Sequence, residues 1–389
     1  MTEWKKVKLG KCCEITSSKR IFYNEYVESG VPFYRSKEII EKAKGETISE
    51  PLFISQSRYD EIKRQFGVPQ KGDLLLTAVG SLGIPYRIKD SSPFYFKDGN
   101  LIWFRNFEED YCSDFLCYWF RTHSAYQLLY NIAIGSAQKA LTISSIKQLE
   151  ISCPAINTQR RIAEVLSRYD ALIENYQRQI KLLEEAAQRL YKEWFVDLRF
   201  PGHETTPTIN GIPDGWQKKK LGEIASLKAG GDKPKVFSSE KTFKLTVPVY
   251  SNGTVNEGLY GYTDTAEIKV PCVTISARGS VGYTVLRRTP FVPIVRLISV
   301  IPDDLYVGYL FFYIKDMPLD SNGAAQQQIT VPMIKDKEII IPENGVLNAF
   351  RNQVEPFFIE VDCLKRSIHS LSEARDRLLP KLMSAEIDV

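Results

Sequence analysis

Two stretches of this chain carry similar text 188 residues apart. GSAQKALTISSIK at 135–147 returns as GAAQQQITVPMIK at 323–335, and the offset then holds for about 60 residues, carrying Leu183, Glu185, Ala186 and Leu190 onto Leu371, Glu373, Ala374 and Leu378. Earlier in each copy Trp4, Leu9 and Gly10 recur as Trp216, Leu221 and Gly222, VPFYRS at 31–36 as VPVYSN at 247–252, and TAVGSLG at 77–83 as SARGSVG at 276–282. The offset runs from 212 through 216 down to 188, so the second globular part is shorter by roughly two dozen residues. Copies of nearly 200 residues are domains, not the short stacking units of a solenoid. A chain that repeats a globular segment followed by a helix presents two similar surfaces, which implies a partner with two similar sites.

The constant part of the repeat reads as helix. After Pro154, apolar residues fall at Ile162, Leu166, Tyr169, Ile173, Tyr176, Ile180, Leu183, Ala187, Leu190 and Trp194, in alternating steps of four and three. That is the seam of a coiled coil. Shifted by 188, the positions hold Phe350, Val354, Phe357, Val361, Leu364, Ile368, Leu371, Arg375, Leu378 and Leu382, with Arg375 the one charged residue. Each seam spans about 50 Å at the helical rise, and so narrow a stripe asks for a partner helix. Antiparallel pairing of the two would set Ala187 opposite Phe357 and Arg375 opposite Tyr169; the alternative is two amphipathic helices, each packed on its own module. Pro356 and Pro380 lack amide donors and are expected to kink or interrupt the second helix. The layout expected is a globular part at 1–154, a long helix at 155–200, a linker loop at 201–215, a second globular part at 216–342 and a second long helix at 343–389.

Both globular parts read as mixed α/β. GDLLLTAV at 72–79 and PCVTISAR at 271–278 are β-favouring runs entering a Gly-Ser-x-Gly turn, with further strands at Leu101 to Phe104 and Phe291 to Val300. Tyr111 to Phe120 and Leu305 to Ile314 read as short apolar helices. The turns Gly80-Ser81-Leu82-Gly83 and Gly279-Ser280-Val281-Gly282 are either phosphate cradles or plain β-turns; they match neither the dinucleotide fingerprint nor the Walker loop.

Composition narrows the function. Apolar residues make up 43% and charged residues 25%, as in ordinary soluble domains. No run reaches the length of a membrane span and MTEWKKVKLGK lacks a signal-peptide core, so a cytoplasmic location is expected. Seven cysteines without CxxC pairs and three histidines point to reduced thiols, with no disulfide framework and no zinc site. His123, His203 and His369 have no counterparts in the other copy, and neither HExxH, GxSxG, an Asn-Pro-Pro-Tyr-like methyltransferase tetrapeptide nor a helicase phosphate loop occurs. Binding without catalysis is expected. A net charge of +4 is compatible with nucleic acid, and the lysines Lys5, Lys6, Lys8 and Lys11 match Lys218, Lys219 and Lys220. Such duplicated basic segments either face phosphates or solvate the entrance to each domain.

GVPFYRSKEI, GDLLLTAVGSLG, GSAQKALT, LEEAAQRLYKEWFVDL and the terminal LSEARDRLLPKLMSAEIDV, in that order and partly duplicated, closely resemble the specificity subunit of type I restriction–modification systems, the HsdS family. Thr158-Gln159 departs from the Glu-Gln pair commoner there, and ENGVLNAF in the second copy lacks that signature. The resemblance implies an α/β (α+β) protein in which two mixed α/β target recognition domains, related by an internal pseudo-two-fold repeat, are separated by two long helices forming an antiparallel coiled coil. Each domain would read one half of a split, asymmetric site on double-stranded DNA, while the helices set the spacing and dock two methyltransferase subunits. It also implies no cofactor in this chain: S-adenosylmethionine, ATP and magnesium belong to the methyltransferase and to the restriction/translocase subunits of the full complex.

Arginine reading guanine, Asn or Gln reading adenine, and lysine holding phosphate then guide the choice of DNA-binding candidates. They are Lys19, Arg20, Arg35, Lys37, Ser81 and Arg87 in the first part and Lys233, Lys235, Asn252, Arg278, Ser280 and Arg287 in the second. Trp194, Phe195, Val196, Leu198 and Phe200, an apolar cluster beyond the first seam, are assigned to partner binding or to closing the helices against the second module. Gln138 and Gln326, which repeat in register, are either base readers or structural hydrogen-bonders at the domain-to-helix junction. Two other function classes remain open at this point: a stand-alone coiled-coil DNA-binding regulator, and a scaffold with two protein-binding modules.

Overall fold

A computed structural model of the chain describes residues 4–45, 48, 50–136, 138–318 and 328–389. It forms two compact units, residues 1–177 with 366–389 and residues 178–365.

In the first unit the run Leu74-Leu75-Leu76 decides the layering. Its strand, Leu74–Thr77, is buried at every position, because alternate side chains face two different cores. Leu74 and Leu76 join Ile102, Phe104 and the helix Ser113–Phe120 on one side, whereas Leu75 joins Trp103, Tyr34 and Phe96 on the other. The sheet is antiparallel, in the order Glu14–Thr16, Leu101–Arg105, Leu74–Thr77, Pro85–Arg87. A second sheet has the order Tyr26–Val27, Leu52–Ile54, Val31–Tyr34, Tyr95–Phe96, its last pair parallel.

The second unit repeats this plan. Its main sheet runs Ala225–Ala229, Ile298–Pro302, Cys272–Ile275, Thr284–Arg287. The smaller one runs Leu259–Thr263, Val247–Tyr250, Val292–Pro293, again ending in a parallel pair. The duplicated lysine segments are strands in both units: Lys5–Lys8 pairs with Glu150–Cys153, and Gln217–Lys220 with Glu338–Ile341. The drift in the repeat now has a cause. Helices Ser36–Lys44, Gln56–Phe66 and His123–Ile132 of the first unit have no counterpart among the described residues of the second. The offset falls after VPxY and again after the Gly-Ser-x-Gly turn, where those helices lie.

The long helices are Ile156–Tyr191 and Asn344–Met383, and their first residues are again 188 apart. Contrary to the expectation from sequence, the second runs through Pro356 and Pro380 without interruption. Both prolines are exposed, as are Asn352 and Asp376, so the carbonyls that lose their amide donors are left to water. The irregularity falls instead in the first chain segment, where Lys192–Val196 makes a wide π turn closed by Asp197 N–H to the Lys192 carbonyl (2.8 Å).

None of the seam residues is exposed. In the first unit Ile162 and Leu166 share a core with Leu379 and Leu382; in the second, Ala187 and Tyr191 share one with Phe350, Val354 and Phe358. Arg375 pairs with the Asp170 carboxylate (2.7 Å), the next residue after Tyr169, which was expected opposite it. A guanidinium on a half-dry surface gains more from an anion than from a ring face. The linker is not a bare loop: Thr208–Ile209 and Ile212–Pro213 form a hairpin around Asn210 and Gly211, both at positive φ, the signature of a tight two-residue turn.

Candidate nucleic-acid interface

The Gly-Ser-x-Gly turns are shaped from below by a strand hydroxyl or carbonyl. The Gly83 amide donates to the Thr77 carbonyl (2.8 Å) and the Gly282 amide to that of Ser276 (2.9 Å). Thr77 Oγ1 takes the Ile84 amide (2.9 Å) and donates to the Ser81 carbonyl. Gly80, Gly83, Gly279 and Gly282 all lie at φ between 69° and 83°, which accounts for glycine at both ends. Ser81 and Ser280 are exposed at the turn tips. Beside Ser81 an open groove of about 760 Å³ is lined by Arg121, His123, Tyr126, Tyr130 and Lys139. Tyr126 and Tyr130 stack at 6.1 Å, and Lys139 Nζ sits 3.4 Å from the Tyr130 ring centroid. Sequence reasoning missed this aromatic–cationic wall, because YQLLY inside a helix reads as core.

The other candidates divide by what already holds them. Lys19 lies over Phe66 (4.5 Å), Arg20 reaches Asp98 (2.9 Å) with its side chain 67% exposed, and Lys37 reaches Glu50 (3.2 Å); all three heads remain at the surface. Lys233 lies over Phe237 (4.6 Å) and Lys235 is exposed. Arg278 is exposed and spends its Nε on Gln328 (3.1 Å). Arg35 caps its helix, its amide donating to buried Glu38 (2.7 Å) and its guanidinium closing on the same carboxylate. Burial would raise the Glu38 pKa, but its bonds from Arg35 hold it below the usual range. Arg87 is paired with Asp114 (2.7 Å).

Two expected readers are structural pins. Asn252 donates to the Val295 carbonyl and accepts the Ala277 amide, both at 2.7 Å, and so clamps the VPxY end to the Gly-Ser-x-Gly turn. Arg287 is 4% exposed, packed over the Tyr250 ring (3.6 Å) and bonded to Thr274 and Glu257. Burial depresses its pKa, and no face is left for a base edge. The apolar cluster assigned either to partner binding or to closing the helices against the second module packs mostly in the second way. Trp194 and Phe200 are buried in the second unit's core, with Phe195 and Leu198 packed on it; Phe195 meets Trp216, Tyr309 and Phe350. Only Val196 of the five is exposed. Gln138 is exposed, and Gln326 lies outside the described residues.

Among the described residues no group of His, Cys, Asp and Glu is placed to hold a metal, and no helix is long and apolar enough to cross a membrane. The seven cysteines are free thiols, of which Cys363 is exposed.

The family model described as "Type I restriction modification DNA specificity domain" matches residues 1–185 and again 213–348, one match in each copy of the repeat. The chain belongs to this family. The specificity subunit of the type I restriction enzyme MjaIX from Methanocaldococcus jannaschii is 29% identical over 344 residues, 82% of this chain and 78% of that one. That of the HindI enzyme from Haemophilus influenzae is 23% identical over 329 residues, 64% and 71% of the two chains. The crystal structure of the type I restriction–modification S subunit from M. genitalium aligns over 98% of this chain and 96% of its own, with a TM-score of 0.62 at 16% identity, a likeness of fold. Specificity subunits are the non-catalytic, DNA-recognising components of type I restriction–modification systems and act within complexes with DNA and other subunits.

Proposed function

We propose that this specificity subunit reads an asymmetric bipartite site on duplex DNA, residues 1–154 taking one half and 216–342 the other. The two long helices pair antiparallel as a coiled coil, set the gap between half-sites and dock two methyltransferase subunits. Half-sites about one duplex turn apart, roughly 34–36 Å, suit such a frame. Adenine methylation from S-adenosylmethionine takes place on the methyltransferase subunits, and ATP- and magnesium-dependent translocation on restriction subunits; this chain holds no cofactor.

The observation that carries the reading is sameness of scaffold with difference of surface. Both units have the same strand order in the main sheet and the same parallel pair in the smaller one, yet Val79 stands where the second unit has the exposed Arg278. An equivalent position with unlike chemistry suits two unlike half-sites. Lys19, Arg20, Lys37 and Ser81 in one unit and Lys233, Lys235, Arg278 and Ser280 in the other supply the exposed contacts.

The test is single-molecule methylation sequencing of a methylation-free host expressing the chain with its methyltransferase partner, beside the same host without the chain. A split adenine-methylated motif that depends on the chain is expected; no motif, with both proteins folded and co-purifying, overturns the reading. Arg278→Ala is expected to weaken binding to that motif more than to random duplex, as a base contact does; equal loss on both would assign Arg278 to phosphate.

A further inference from the structure

In both units one connection displays an aromatic side chain to water. It is the segment that leaves the first strand of the main sheet for the smaller sheet: residues 17–25 in the first unit and 230–246 in the second. Phe243 is 99% exposed and Tyr23 89%, the most exposed large apolar and aromatic side chains among the described residues of their respective units. Isolated exposed apolar residues are common; the same topological position twice is not explained that way.

The second connection is long and without regular structure, yet it is tied down. Ser238 exchanges two backbone hydrogen bonds with Tyr262 (2.8 and 3.0 Å), and buried Thr263 donates to the Val236 carbonyl (2.7 Å). Its tip is a closed turn: the Thr242 amide donates to the Leu245 carbonyl (3.1 Å) and the Leu245 amide to Thr242 Oγ1 (3.0 Å). Phe243 and Lys244 stand at the head of that turn with Lys241 beside them, all exposed. Over 230–246 four lysines face two acids. In the first unit Tyr23 follows Lys19 and Arg20, and its turn is closed by the Phe22 amide on Glu25 (2.7 Å), itself held by Arg58 (2.8 Å). Long ordered loops of this kind are seldom idle. Phe243, a single aromatic on a narrow turn between cations, lacks the contiguous apolar area of a protein-docking patch, but it fits a groove walled by phosphates, where an inserted ring unstacks a base step while cations hold the backbone; Tyr23 has exposed Phe22 beside it and its ring on Tyr26 (5.9 Å).

We infer that Phe243, flanked by Lys241 and Lys244, is a wedge that enters duplex DNA and stacks on its bases. The inference rests on the DNA-reading role proposed above. The wedge contributes to specificity through the deformability of the step it opens, not through base-edge hydrogen bonds.

The test uses the full chain in complex with its methyltransferase subunits. Phe243→Ala is expected to weaken binding to the split motif roughly 10- to 100-fold without altering the salt slope. Lys244→Ala is expected to reduce that slope by about one. Phe243→Trp is expected to retain binding and to add an indole emission, relative to the parent complex, that duplex DNA quenches. Phe243→Ala with unchanged affinity overturns the inference, as does a variant that sheds the methyltransferase subunits on gel filtration, which would mark a protein contact. Should the parent complex methylate no split motif, the proposed function fails on its own. The wedge is then read from Phe243→Trp on random duplex, where quenching supports it and unchanged emission overturns it.

Discussion

At equivalent positions the two units fasten a long helix to the short helix that follows the main sheet by opposite chemistry. In the first, Asp170 of the first helix accepts from Tyr118 Oη (2.8 Å), Arg121 (2.8 Å) and Arg375 of the second helix (2.7 Å). The repeat carries these four onto Phe358, Phe312, Lys315 and Ala187 in the second unit. There Phe312 stacks on Phe358 at 6.1 Å, Ala187 is fully buried, and Lys315 turns to Gln188 (3.0 Å). The same difference recurs one layer away, where buried Gln159 in the first unit corresponds to buried Leu347 in the second. A polar clasp fixes direction through bond geometry, whereas a stacked apolar joint holds by area and tolerates small slips. At these equivalent positions one scaffold therefore carries a polar clasp in the first unit and a stacked apolar contact in the second, whose long helix is clasped elsewhere, by Arg288 on Glu355 (2.7 Å) and Asp362 (2.8 Å).

Cutting the packed joint should cost most. Phe358→Ala removes a buried ring and is expected to destabilise the second unit by roughly 3–5 kcal/mol, seen as faster amide hydrogen exchange in residues 307–316 with little change in the first unit. Asp170→Asn is the matching cut in the first, expected to cost roughly 2–4 kcal/mol because Arg121 and Arg375 lose their shared anion in a partly buried site. Burial would raise the Asp170 pKa, but Arg121, Arg375 and Tyr118 more than offset it and hold it below the usual carboxylate range. Its contribution is therefore present above the unfolded carboxylate value and lost as the pH falls through the lower folded one. Acid below about pH 4 should loosen this joint, a loss that Asp170→Asn no longer shows. Converting the clasp to the other joint's chemistry, Tyr118→Phe with Asp170→Phe and Arg375→Ala, should recover much of the single-variant loss; a triple variant no better than Asp170→Asn would mean that backbone spacing, not side-chain chemistry, separates the joints.

What sequence could show of this depended on periodicity. The helices and the repeat were legible because an apolar stripe in steps of three and four matches the helical period and no strand period, and the strands because Leu74-Leu75-Leu76 and Val273-Thr274-Ile275 are short, largely apolar runs that lead into a Gly-Ser-x-Gly turn. The linker hairpin was there to be read in Asn210-Gly211. The clasp was not, since Asp170 sits one residue off the seam and its partners Tyr118 and Arg121 arrive from about 50 residues away. For the same reason residue type failed at Arg287 and Asn252. Arginine and asparagine suit base edges, but burial beneath Tyr250 and two backbone partners had already taken their hydrogen-bonding groups. Exposure, which singles out Phe243 and Tyr23, depends on the finished turn and has no local pattern in the chain.

The smallest expected effect probes the comparison most finely. Gln159 accepts the Cys112 amide (2.9 Å) and donates to the carbonyls of Asp110 (3.0 Å) and Pro154 (2.9 Å), at 1% exposure. Gln159→Leu installs the second unit's residue at a similar volume, so little packing is lost and the change isolates hydrogen bonding. The Cys112 amide is then buried without an acceptor, while the Pro154 and Asp110 carbonyls each lose a donor. A cost of roughly 1–3 kcal/mol is expected, read as faster exchange of the amides around 112–116. Gln159→Glu keeps an acceptor for that amide but turns a carboxylate toward two carbonyls, so it should be the worse variant at neutral pH and recover as acid protonates it. If Gln159→Leu were instead silent, water would be reaching the junction, and of the two polar holds Asp170 would be the one that matters to the first unit's joint.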